Sequence, residues 1–73
     1  MDNPVIGFGI EYAGEMMYCE ARMADTSYDI YFDNNWIASI EHNDSWDWMQ
    51  ASGTILPQAT IDEIGLKIES HYN

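Results

Sequence analysis

The side chains with chemistry to offer in this 73-residue sequence are thirteen Asp and Glu, two His and one Cys. Carboxylates and imidazoles bind metals, but His42 and His71 belong to no HExxH pattern and no CxxC accompanies them. Asp33-Asn34-Asn35 and Asn43-Asp44 are rich in oxygen, yet match no calcium loop. Asx side chains that bond their own backbone in turns account for them. No metal and no other cofactor is expected. Nucleophilic catalysis needs a base beside the nucleophile and a group that orients the base. Cys19 alternates with apolar neighbours, so its thiol should face a core, where burial makes it inert. His42 sits beside Glu41 at a strand end, and His71 lies near the last turn of a helix, where the dipole alone favours it. Two carboxylates could flank a glycosidic bond, but so short a chain leaves little room for the cleft. The chain is read as no enzyme.

Aromatic residues are the next resource. Trp36, Trp46 and Trp48 with Tyr31 could stack on sugars or bases. Bases arrive with phosphates, and a formal charge of −11 with only Arg22 and Lys67 to oppose it repels them. Direct nucleic-acid binding is therefore excluded, and core packing is the competing role for one or two of the indoles. A single cysteine permits no internal disulfide. The 47% hydrophobic content argues against a disordered acidic tail. The longest apolar run is too short for a bilayer, and no basic segment precedes an apolar stretch at the start. No membrane role is expected, and a cytoplasmic location is.

These residues must be positioned by short alternating segments. Ile6, Phe8, Ile10 and Tyr12 alternate with Gly7, Gly9 and Glu11, which has the period of a strand. A turn at Ala13-Gly14 sets Ile10 opposite Met17 and Phe8 opposite Cys19. A turn around Asp25-Thr26 sets Ala21 opposite Ile30, Cys19 opposite Phe32, and Arg22 opposite Asp29 as a cross-strand charge pair. A three-residue loop, Asp33-Asn34-Asn35, with Asn35 at positive φ, pairs Phe32 with Trp36 and Ile30 with Ala38. It puts Trp36 inside and Ile37 outside. The last hairpin is open between two registers. A three-residue loop sends Trp46 and Trp48 inward; a two-residue turn sends both outward and Met49 inward. Bulk favours Trp48 inside. The fifth strand is placed at 46–51.

Gly53 ends the sheet. A helix is predicted to start between Pro57 and Thr60, with Thr60 and Glu63 at capping-box spacing and Asp62 in its first turn. Ile61, Ile64, Gly65, Ile68 and Tyr72 form one narrow stripe, and Gly65 allows close approach. The fold expected is α+β and two-layered: one domain spanning 1–73, an antiparallel β-meander of four or five strands with one C-terminal helix on one face.

That arrangement leaves one side of the sheet open. Glu11, Glu20, Asp29, Asp33, Glu41 and Asp47 fall on it or its rims, with Tyr18, Tyr31, Ile37 and Met49 among them. Carboxylates interleaved with aromatic and aliphatic groups suit a basic, partly apolar partner. The expected function is a non-enzymatic acidic interaction module. In its sharpest form it is an inhibitor that mimics nucleic-acid charge to occupy a partner protein's basic site. The expected contacts are Tyr18, Glu20, Asp29, Tyr31, Asp33, Glu41 and Asp47. The alternative is a homodimeric or ligand-binding module that uses the aromatic sheet face, its charge serving solubility alone.

Overall fold

The structure, a computed structural model, describes residues 5–72, with Tyr72 described by its backbone alone. The readings that fall on the first four residues and on the Tyr72 side chain lie outside the described residues. Five antiparallel strands, β1 (Val5–Tyr12), β2 (Glu15–Met23), β3 (Tyr28–Phe32), β4 (Asn35–His42) and β5 (Trp48–Gly53), follow one another in chain order across a single sheet. One helix, α1 (Gln58–Tyr72), closes the chain and packs against the sheet. This is the two-layer α+β meander that alternation and hairpin spacing predict.

The inner row of the sheet is Ile6, Ile10, Cys19, Ala21, Ile30, Phe32, Ala38, Ile40 and Trp48, all buried, with Ile61, Ile64 and Ile68 of α1 above them. The helix comes closest to β1 and β5, the two edges of the sheet. On the β5 side of the contact, Gly65 faces the indole of Trp48, and a Cβ on Gly65 would collide with that ring. The Trp48 Nε1–H donates to Glu69 Oε2 at 2.6 Å, so burying the indole leaves no orphan donor.

The first two hairpins have the expected registers: Phe8 opposite Cys19, Ala21 opposite Ile30, and Arg22 opposite Asp29. Ala13 and Gly14 both take positive φ, as a two-residue type I′ turn requires. The third hairpin corrects the sequence reading. Its turn has two residues, Asp33 at φ 50° and Asn34 at φ 72°, and Phe32 pairs with Asn35 rather than Trp36. The register then shifts so that Ile30 still meets Ala38, leaving Ile37 as the extra residue of a β-bulge. The bulge exchanges two side chains. Ile37 packs against the core, and Trp36 goes to the open side. Asp and Asn tolerate positive φ, so two such residues in a row close the tighter turn.

The fourth hairpin follows neither register considered from sequence. His42 pairs with Trp48 across a five-residue loop, and the strand runs Trp48–Gly53 rather than 46–51. The Asn43 Oδ1 accepts the amides of Ser45 and Asp47, and this closes the loop. Trp48 is inside, as bulk favours; Trp46 sits out in the loop at φ 64°. The helix begins at Gln58, and the Pro57 carbonyl accepts the amides of Thr60 and Ile61. Thr60 is thus inside the helix and not its cap. Asp62 lies in the second turn, where its Oδ1 accepts from Gln58 Nε2. No capping box forms.

Candidate functional site: the open face of the sheet

The outer row is set by the same alternation that fills the core. On β2, Tyr18, Glu20 and Arg22 point away from the helix; on β3, Asp29 and Tyr31 do; on β4, Trp36, Ser39 and Glu41. Neighbours bind sideways. The Arg22 Nε and Nη2 both donate to Glu20 Oε1, at 3.1 and 2.8 Å, and the guanidinium stacks over the Tyr31 ring at 4.0 Å. The Tyr18 hydroxyl donates to Glu20 Oε2 at 3.2 Å. The Ser39 hydroxyl donates to Asp29 Oδ1 at 2.8 Å, and the Trp36 Nε1–H makes a longer 3.4 Å approach to the same oxygen.

Arg22 stands opposite Asp29 as the register requires, but its ion pair forms with Glu20 on its own strand. Two residues apart along a strand is a same-face spacing, and stacking on Tyr31 turns the guanidinium toward Glu20. That pairing holds the Glu20 carboxyl below the usual glutamate range and pushes the Arg22 guanidinium further up. Partial desolvation, with the hydrogen bond to Glu20 second, raises the Tyr18 phenol above its ordinary value.

Five of the seven expected contact residues thus belong to one connected surface. Tyr18, Glu20, Asp29 and Tyr31 sit at its middle. Asp33 is at the β3–β4 turn, where its Oδ1 accepts the backbone amide of Tyr18 at 3.2 Å. Glu41 shares the open side but stands opposite Met49, toward the β5 edge. Asp47 lies elsewhere. It is in the loop before β5 and lines a groove of about 300 Å³ with Trp46, Trp48, Asp62, Leu66 and Glu69, on the helix side of the molecule.

The three indoles are not a joint platform. Trp36 is on the open face at 47% exposure, Trp46 is in the loop at 77%, and Trp48 is buried. The Trp36 ring lies over Gly53, whose φ of 98° and lack of a side chain make room for it. Sequence reasoning missed Trp36 as an open-face residue, and the signal that could have found it is the Asp33-Asn34 pair. Carboxylates also stand outside this surface: Asp44 and Asp47 in the loop, and Asp62, Glu63 and Glu69 on α1. Negative charge is therefore general. What sets the open face apart is the mixture of half-exposed rings with carboxylates held in place.

Cys19 is fully buried on the opposite, inner row, and burial pushes its thiol up to about 12. Among the described residues no group of three or more His, Cys, Asp or Glu could hold a metal ion, and no helix is long and apolar enough to cross a membrane. No family model matches the chain, and comparison with curated proteins and with solved structures returns no significant match.

Proposed function

We propose that this protein is a non-enzymatic acidic interaction module whose open sheet face binds a basic partner protein. The reading is carried by one observation: Tyr18, Tyr31 and Trp36 are displayed among Glu20, Asp29 and Glu41 on a single side, with Asp33 in the turn at its rim. Rings of this kind supply contact area at small entropic cost, and carboxylates beside them steer a cationic surface into place. Internal hydrogen bonds fix Asp29, Asp33 and Glu20 before any partner arrives, which lowers the ordering cost of association. In the sharpest version these carboxylates take the positions of phosphates, and the module occupies a groove that otherwise holds nucleic acid.

The test is capture of partners from lysate at low and high salt, with charge-changed variants. A basic partner is retained at low salt and released at high salt. Asp29→Lys with Asp33→Lys is expected to abolish capture. Asp29→Asn with Asp33→Asn keeps an acceptor oxygen at each site and is expected to weaken capture while the melting temperature holds. Capture that ignores both pairs of changes removes this reading. Self-association that strengthens with salt would favour the dimeric alternative, because screening relieves repulsion between two chains of charge −11.

A further inference from the structure

We propose that the free edge of β1 is a strand-docking site whose occupant is an extended basic segment of the partner. The proposal rests on the reading above and names the mode of binding. Among the described residues β1 has one neighbouring strand, β2. Opposite Gly9 stands Tyr18, whose own N–H donates to Asp33 Oδ1 and whose C=O accepts the Asp33 amide, both on the β3 side. Tyr18 therefore has no backbone group to give Gly9. In an antiparallel ladder hydrogen-bonded and non-hydrogen-bonded pairs alternate, so Val5, Gly7, Gly9 and Glu11 all direct their N–H and C=O groups outward.

The two edges of the sheet are treated differently. At β5 the ladder is broken by a bulge at Ala51, the Gln58 side chain donates to the Trp48 carbonyl at 2.9 Å, and Gln50 donates to the Ser52 carbonyl and accepts the Leu56 amide, both at 3.0 Å. These are devices that stop a further strand from adding. β1 has none of them among the described residues: eight residues pair in unbroken register, without lysine, proline or bulge.

Gly9 adds a separate observation. Glycine inside a strand weakens it, and it usually marks a close approach. Gly7 is explained, since Tyr18 lies across it. Gly9 is not at positive φ, and a Cβ there would meet only Met16 Cε at 3.5 Å, an ordinary contact. Among the described residues nothing requires a glycine at this position, whereas an added strand would use the bare strip. A side chain on the open side of that strand crosses Gly9 beside Met16, with Glu11 next along β1 and the Tyr18 ring and Glu20 across Gly7. Side chains on its inner side meet Phe8 and Tyr12, which are only half-buried. The charge near the strip selects a basic segment that alternates with apolar residues. Two copies of this chain would instead bring like charges together.

The probe is an end-capped eight-residue peptide alternating Arg and Val, titrated at low salt. Amide hydrogen exchange at Gly7 and Gly9 is followed by NMR. Saturating peptide is expected to slow both amides at least about tenfold, and Gly9→Pro is expected to weaken binding about tenfold by removing one outward donor. N-methylation of Gly9 removes the same donor without a ring and guards against a folding defect. Binding that leaves both amides exchanging as before, or that tolerates both variants, overturns the edge site while the open-face reading stands. Equal binding of a peptide alternating Glu and Val, or no binding of the Arg peptide, also overturns it. Protection that grows with protein concentration alone would make a second copy the occupant. The lysate capture experiment decides the open-face reading separately.

Discussion

Trp48 and Trp36 lie on opposite sides of one sheet and are held in opposite ways. The Trp48 ring is trapped between the Gly65 backbone and the rings of Tyr28 and His42, at 5.9 and 3.8 Å, and its only donor goes to Glu69. Trp36 reaches across the open side to Gly53, with one long contact to Asp29. On the inner side position is imposed by shape from above and below. On the outer side it comes from neighbours in the plane, and Tyr18 and Trp36 each stay about half exposed, while Arg22 covers the Tyr31 ring. The inner side decides whether the chain folds, and the outer side is left to decide what it touches.

Exchanging the two indoles for alanine should separate these roles most clearly. Trp48→Ala removes a buried ring and is expected to cost about 3–5 kcal/mol. That is a large share of the stability available to a domain of this size, at roughly 0.05–0.15 kcal/mol per residue. Trp36→Ala should cost less than about 1 kcal/mol and reduce partner capture. Urea melts of both variants check the contrast, and equal losses would break it.

Cys19 gives the inner side a pH signature. Its folded pKa is raised, so the folded thiol stays neutral while the unfolded one ionises. That contribution is complete below the unfolded thiol's ordinary value of about 8.5 and is lost as pH rises toward about 12. Stability should fall in this window by up to about 1.4 kcal/mol per pH unit from this group. Cys19→Ala should flatten the alkaline limb relative to the parent, and thiol reagents should react only with unfolded chain. An unchanged limb would show that other groups cause it.

Gly65→Ala probes the same contact at smaller scale. Alanine gains about 1 kcal/mol of helix propensity, but its Cβ strikes the Trp48 indole, and overpacking costs about 1–3 kcal/mol. A net loss of about 1 kcal/mol in chemical denaturation is expected, whereas a helix gain alone would stabilise the protein.

Much of this was legible from the sequence, for reasons particular to each element. Period-two alternation in β1, β2 and β3 fixed their inner rows because a one-residue slip would bury Glu20 or Asp29. The Ile61–Ile64–Ile68 stripe located the helix face. What was not legible depends on positions where the alternation is interrupted. The bulge at Ile37 swaps it with Trp36, and the one at Ala51 shifts β5 against β4. Periodicity carries no record of an inserted residue. The five-residue loop before β5 was hidden because Asn43-Asp44 and Asn43-Asp44-Ser45 read as complete turns by themselves. At the site, Tyr18, Glu20, Asp29 and Tyr31 follow from strand parity alone. Asp47 does not, because it lies in that loop.

The smallest effect separates the two sides by charge rather than by packing. Glu20 has its pKa depressed, first by the Arg22 hydrogen bonds. The stability this pair supplies is therefore present above the unfolded glutamate's ordinary value of about 4.3 and is lost as pH falls through the lower folded value. Arg22→Ala should move the Glu20 titration, followed by carboxyl ¹³C NMR, back toward that ordinary value. It should also lessen the loss of stability in acid while leaving the neutral-pH melt nearly unchanged, as expected for an exposed pair. Because Arg22 is the one cation on this side of the sheet among the described residues, removing it also frees Glu20 for an incoming basic group. Capture of a basic partner should tighten in Arg22→Ala just as it weakens in Trp36→Ala. Weaker capture would mean that the Arg22–Tyr31 stack, and not the net negative charge, forms the contact.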